Sequence, residues 1–298
     1  MSNKLSEVQG RISSVHQLES VVSAMRGIAA ARSREAQARI AGIRACASMI
    51  ADAIGDALTL DQSDEARAHL KDTVDAEVVI ILCAEQGFVG TFNEHVVEVA
   101  TQRTPSRSPE YFLLGDRGVP VAMEHGLTIA WSAPMVAHAD EVSALADRIT
   151  EALYERLNAG KAARVTLLHA VPNPSETIEV IESALWPFDF TRFKQTPRGY
   201  PPLVTLAPKK LLAKLAEEYI YTQLCEAVML SFAAENEARM RAMIAARTNV
   251  HNTLDGLIQE SRRLRQDEIT SEIVELSSVT LAAATAPRKR HGDHKNLP

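Results

Sequence analysis

Residues 208–286 read PKKLLAKLAEEYIYTQLCEAVMLSFAAENEARMRAMIAARTNVHNTLDGLIQESRRLRQDEITSEIVELSSVTLAAATA. No proline follows Pro208, and Gly256 is the only glycine. The composition is that of a helix, rich in Ala, Leu, Glu, Arg, Lys and Met. Pro208 suits a first helical turn, where its missing N–H has no partner to lose, and Pro287 makes a firm stop. One helix over this stretch would run roughly 115 Å at 1.5 Å per residue, longer than a compact domain is wide. Much of it must therefore be covered by another helix or lie outside the domain.

The other helix is at the opposite end of the chain. Residues 2 to about 56 hold neither proline nor an aromatic side chain. Leu5, Val8, Ile12, Val15, Leu18, Val22, Met25 and Ile28 recur three and four apart, the stripe of a packed helix. From Ala29 to Ala53 the apolar positions are mostly alanine, and Ala233, Ala234, Ala238, Ala242, Ala245 and Ala246 form a matching zone. Facing alanines let helix backbones approach closely, so the two zones are expected to meet in an antiparallel coiled coil. The C-terminal helix, the longer of the two, should project past its partner or be sheathed there by other chains. Near its end Ile269, Ile273 and Leu276 make one apolar stripe on a polar rod.

Between the helices the pattern changes to alternating strands and helices, which predicts a Rossmann-like α/β domain over 75–205. Val78–Ala84 is a continuous apolar run of the length of a buried parallel strand. Gly87 and Gly90 make a turn, and a helix follows from Phe92 to Val99. Further strands are expected at Tyr111–Leu114, Thr128–Ser132, Arg164–Val171 and Thr177–Leu185, and a helix at Asp140–Asn158 closed by Gly160. The fold class is thus α/β, with a long antiparallel coiled coil of helices 1–58 and 208–286. A basic tail, 287–298, reads as disordered.

Composition narrows the function. With 5% aromatic residues the chain fits an elongated helical protein better than a thick globule, and a net charge of −6 argues against general affinity for nucleic acid or anionic lipid. Cys46, Cys83 and Cys225 have no metal-like spacing and read as reduced thiols of a cytoplasmic protein. The longest apolar run is far short of a membrane span, and the N-terminus lacks an apolar signal core. Any link to a membrane would come through partners.

The motifs of catalysis are missing: no phosphate-cradling GxxxxGK[ST], no HExxH, no GxSxG and no zinc spacing. No catalytic, cofactor-binding or metal-binding residue is assigned. The turn Glu85–Asn93 lies where an α/β domain could bind a phosphate, but Glu85 would repel an anion there. A tight turn packed on a neighbouring element is the favoured reading. His291 and His294 read as solvated tail residues. Arg262, Arg263 and Arg265 read as a solvated helical face, with Glu260, Asp267, Glu268 and Glu272 in reach. For Arg265 and Gln266, contact with the polar loops of a surrounding assembly stands beside that reading.

Four stretches resemble the gamma subunit of F-type ATP synthases. Ser23–Gln37 (SAMRGIAAARSREAQ) matches most of that family's T-x-A-M-x-x-V-A-A-x-K-x-R-x-A-Q, and Ala234–Met243 (AENEARMRAM) resembles S-E-x-x-A-R-M-x-A-M. Leu264–Leu276 (LRQDEITSEIVEL) keeps the register of A-R-Q-x-x-I-T-x-E-I-x-E-I, the most specific of the four. Glu85–Asn93 (EQGFVGTFN) corresponds to D-R-G-L-C-G-x-x-N. Val279-Thr280 where the family has Gly-Ala, Val89 in place of the turn's cysteine and the long basic tail mark a divergent branch, of which an alternative or sodium-type ATPase is one case. The resemblance implies a non-catalytic central-stalk rotor, coupling ion-driven rotation to ATP synthesis or hydrolysis. Its implied partners are the alpha and beta subunits of the F1 head, the epsilon subunit and the c-ring of Fo, with no nucleic acid. Its implied place is the cytoplasmic face of a bacterial inner membrane, peripheral and held through the complex. It also implies that Arg265 and Gln266 hydrogen-bond the head's loops, supported by Thr270 and Glu272, and that Met25 and Arg26 lie at the bearing. The residues alone leave two rivals: an α/β-domain enzyme with coiled-coil oligomerisation arms, and a coiled-coil scaffold without ATPase partners.

Overall fold

The computed structural model describes residues 2–60, 76–103, 108–160, 162–173, 177–194 and 203–285. The tail 287–298, with His291 and His294, lies outside them. Five helices and five strands are described: α1 (Ser2–Leu60), β1 (Ala76–Leu82), α2 (Phe92–Gln102), β2 (Ser108–Leu114), α3 (Gly118–Glu124), β3 (Ile129–Ala133), α4 (Val142–Asn158), β4 (Arg164–Val171), β5 (Glu179–Trp186) and α5 (Pro208–Thr285). No described helix is long and apolar enough to cross a membrane. Contacts divide the chain into two compact units, Met1–Ser23 with Ala245–Pro298, and Ala24–Ile244.

In the larger unit the sheet order is β3-β2-β1-β4-β5. All pairings are parallel except β4 with β5, which is antiparallel. β1 is central and covered on both faces, which is why its sequence is apolar without alternation. Val78, Ile80 and Leu82 pack with α4, with Ala36 and Ile40 of α1 and with Leu224–Ala233 of α5. Val79 and Ile81 pack the other way, with Cys83, against Phe92, Val96 and Val97 of α2 and Ala122 of α3. At the start of β1, Glu77 is buried, and Arg103 and Thr166 donate to its carboxylate at 2.8 and 2.6 Å.

Within this unit α1 and α5 run antiparallel. Ser33 and Gln37 both donate to Glu237 (3.4 and 3.1 Å), while eleven residues after Ser33 Arg44 meets Glu226, eleven before Glu237. Ala29, Ala36, Ala233, Ala234 and Ala238 are all buried. Where α1 ends and α5 begins, Ile54, Ala57 and Leu58 pack with Leu212, Phe193 and Tyr219, and the Arg192 guanidinium lies 4.9–5.2 Å from the rings of Phe188, Phe193 and Tyr219.

In the smaller unit the buried positions repeat every seven residues. Val250, Leu257 and Leu264 form one series in α5, and Leu254, Ser261 and Glu268 the other; each is buried or half-buried. α1 has the same repeat, at Val8, Val15 and Val22 and at Ile12 and Glu19. It continues in the larger unit through Ala29, Ala36, Ile43, Ile50 and Ala57 and, past the exposed Arg26, through Ser33, Ile40, Ala47 and Ile54. Such a heptad keeps one seam facing a partner helix. Two expected stripe residues fall off it: Leu18 is 50% exposed and Ile28 55% exposed. The seven-residue seam takes Glu19 and Ala29 in their stead.

Other differences are local. α4 proper starts at Val142, after a 3-10 turn over Ala139–Glu141, whose Glu141 carboxylate accepts from the N–H groups of Ala137 and His138. α3 was not among the expected elements; Pro120 sits in its first turn, where a proline is tolerated.

Candidate functional site

Beyond Glu268 every described side chain of α5 as far as Ser278 is exposed. This end carries four of the six residues expected to touch partners: Arg265, Gln266, Thr270 and Glu272, all exposed. The Thr270 hydroxyl donates to the Gln266 carbonyl at 2.9 Å, one turn back. Gln266, Ile269, Thr270 and Ile273 therefore share a face, with Arg265 and Glu272 on the adjoining one. Large apolar side chains lie among these polar ones, Ile273 at 59% and Leu276 at 68% exposed. Ile269, Ile273 and Leu276, four and three residues apart, form an exposed apolar stripe, and grouped exposed apolar side chains mark an interaction surface. Met25, half-buried, and Arg26, exposed, belong to the larger unit.

A second constellation, entirely inside the larger unit, joins the turn after β1 to α5. β2 and β3 are added on one side of β1, and β4 and β5 on the other, so the strand order reverses at β1, the switch point at which open α/β sheets form their ligand crevice. The turn is shaped by Phe88 and Gly90, with φ of +62° and +61°, and by Asn93, whose Oδ1 accepts the Ala84 N–H at 2.8 Å. The Glu235 carboxylate of α5 accepts the N–H groups of Glu85 (3.4 Å) and Gln86 (3.2 Å). Arg239, one turn on, donates to the carbonyls of Gln86 (3.2 Å) and Gly87 (3.1 Å) and pairs with Glu235. Asn236 accepts from Arg239 at 2.9 Å and donates to the Phe232 carbonyl, fixing the guanidinium in place.

All three α5 residues are buried, Glu235 at 2% exposed. Burial raises the Glu235 pKa above the usual carboxylate value, opposed by Arg239 and by the two N–H donors. From α1, Arg32 donates to the Gln86 side chain at 3.3 Å. Glu85, expected to repel anions, is turned away and accepts the N–H groups of Asp116 and Met135. The turn thus packs on a neighbouring element, and that element is α5. Glu235, Asn236 and Arg239 were missed as a site. The signal was there: three polar residues amid alanines that the helix pairing buries, and buried charges need partners.

A cleft of about 620 Å³ lies between the β4–β5 face and the two helices, lined by His169, Arg44, Glu226, Gln37 and apolar neighbours. His169 is buried and its pKa is pushed down to about 4 by burial, partly offset by Glu226. Among the described residues no cluster of side chains is suited to a metal ion.

The family model described as ATP synthase matches residues 4–282, nearly the whole chain, and an ATP synthase gamma chain of Frankia casuarinae is 24% identical over 93% of this chain and 96% of its own length. The chain belongs to the ATP synthase gamma-chain family. Among solved structures, this gamma-family chain matches one from the Euglena gracilis mitochondrial ATP synthase in its OSCP/F1/c-ring assembly, with a TM-score of 0.64, 12% identity and full coverage of both chains. It also matches one from the central stalk and c-ring of the Tetrahymena thermophila enzyme, with a TM-score of 0.53 and 17% identity over 76% of this chain and 99% of that one. These likenesses place the gamma-family fold, paired terminal helices around an α/β domain, on this sequence.

Proposed function

We propose that the chain is the rotor of an F-type ATP synthase, a non-catalytic subunit that passes rotation between a membrane ion-driven ring and the nucleotide sites of a catalytic head. The observation that carries this is the union of a family match over 4–282 with a helix end whose polar and apolar side chains both stand open. The exposed end of α5 fits the head of alpha and beta subunits. Arg265 and Gln266 bond its loops, Thr270 holds the local helical geometry through Gln266, and Glu272 supports Arg265 from the next line of the helix. Met25 and Arg26 serve as the bearing on α1. The α/β domain meets an epsilon subunit and the c-ring, and the chain is peripheral to the membrane, on its cytoplasmic face in a bacterium.

The mechanism is one of unequal contacts. A helix end with different side chains around its circumference presents a different surface to each catalytic subunit. Turning it changes which nucleotide-site conformation is favoured, by no more than the difference in contact energy between the two states. A difference of about 1.4 kcal/mol already shifts a site's equilibrium tenfold. The test is alanine at Arg265 and Gln266 in the assembled complex. ATP turnover should fall while nucleotide binding to the head is retained. Unchanged turnover and coupling would remove both residues from the mechanism.

A further inference from the structure

The rotor reading says that torque enters through the α/β domain and leaves through the helices, but not what stops the domain from slipping on them. The apolar packing between them is made partly of alanines, Ala234 and Ala238 against the cluster under β1. Such contact is non-directional and resists separation better than sliding. Directional bonds resist sliding: Tyr221, Ser231 and Arg241 of α5 each make a single one to the domain, and Glu235 and Arg239 make four to one turn.

We propose that Glu235 and Arg239 are positioning residues that lock the α/β domain in rotation to α5, so that torque crosses between them with little slack. The inference rests on the rotor reading. Its structural basis is the opposed polarity of the bonds on one short turn. Glu235 draws in the N–H groups of Glu85 and Gln86, while Arg239 gives to the carbonyls of Gln86 and Gly87. Displacing the turn along or around α5 stretches both sets. Both side chains are at least 95% buried, so water is poorly placed to replace a stretched bond, and the low local dielectric strengthens the set. The turn follows β1, the central strand, which is hydrogen-bonded to β2 and β4. Load applied there is shared across the sheet. Asn236 removes the remaining freedom of Arg239, and Arg32 ties the same turn to α1.

The experiment uses the assembled complex with its head fixed to a surface. A rod is attached to the α/β domain through Met123→Cys, at a side chain 64% exposed, in a chain whose exposed Cys46 is replaced by serine. With ATP the rod on the otherwise unaltered chain should rotate; absence of rotation would overturn the rotor reading itself. In the stalled complex, Glu235→Gln and Arg239→Lys should widen the rod's angular variance roughly two-fold while the head's ATP turnover is kept, as expected if the clasp supplies about half of the joint's stiffness. In the same variants the amides of Glu85 and Gln86 should exchange hydrogen about tenfold faster, with those of β4 unchanged. Wild-type variance in an assembled variant that rotates normally would overturn the lock and leave the rotor reading standing. If Glu235→Gln does not assemble, Arg239→Lys, which keeps the charge and loses only the fork, decides the matter alone.

Discussion

Arg239 holds a charge at 5% exposure because Glu235 stands beside it. Breaking a buried pair from one side leaves the other charge uncompensated, which typically costs about 3–5 kcal/mol. Glu235→Ala should fall near the lower figure, since two backbone carbonyls still receive the guanidinium; urea unfolding of the whole chain measures it. His169 makes a pH-dependent contribution of definite sign. Its native pKa of about 4 lies below the ordinary 6.5, so the unfolded chain takes up this proton first as pH falls. Stability is therefore full above about 6.5 and declines toward about 4, by up to roughly 3 kcal/mol. His169→Leu should flatten that part of the urea midpoint against pH; an unchanged slope would show that His169 is not the source. Gly115 has φ of +96°, and a Cβ there would stand 2.4 Å from the Cys83 carbonyl. Gly115→Ala should accordingly lower stability by about 2 kcal/mol or more on the same assay.

At the scale of elements, the heptad seam makes a prediction that separates neighbours in sequence. Val22 is 6% exposed and Leu18 50% exposed on the same helix. Val22→Asp should lower the melting temperature of the chain's helical signal markedly, whereas Leu18→Asp should leave it nearly unchanged. The sequence alone did not separate these two, because spacings of three and four can be threaded through more than one register. What decides is the partner: a seam that must keep facing another helix repeats at seven. The two long helices and β1 were legible because each follows from composition, a long run without interior Pro in one case and unbroken Val and Ile in the other. α3 was hidden behind Gly118 and Pro120. The antiparallel direction of β5 follows from the short link between Val171 and Glu179, since a parallel neighbour needs a crossover of a dozen or more residues. The end of α5 was legible as a motif through Leu264–Leu276. The clasp was not, because its three polar residues acquire meaning only once the alanines around them are buried.

At the scale of the whole molecule, the rotor reading and the α/β-enzyme reading part at the turn after β1. Glu235 already occupies the backbone donors of the turn after β1, so the isolated chain should show no binding of magnesium ATP in a calorimetric titration. A stoichiometric signal would restore the α/β-enzyme reading. The seven-residue spacing has one more consequence. A strict heptad imposes left-handed winding on paired helices, as in a two-ply cord laid to one hand. Such a cord tightens when twisted with its lay and loosens when twisted against it. Wherever α1 and α5 wind about each other, this subunit should thus be firmer in one sense of turning than in the other, and synthesis and hydrolysis, which turn it oppositely, would not meet the same spring.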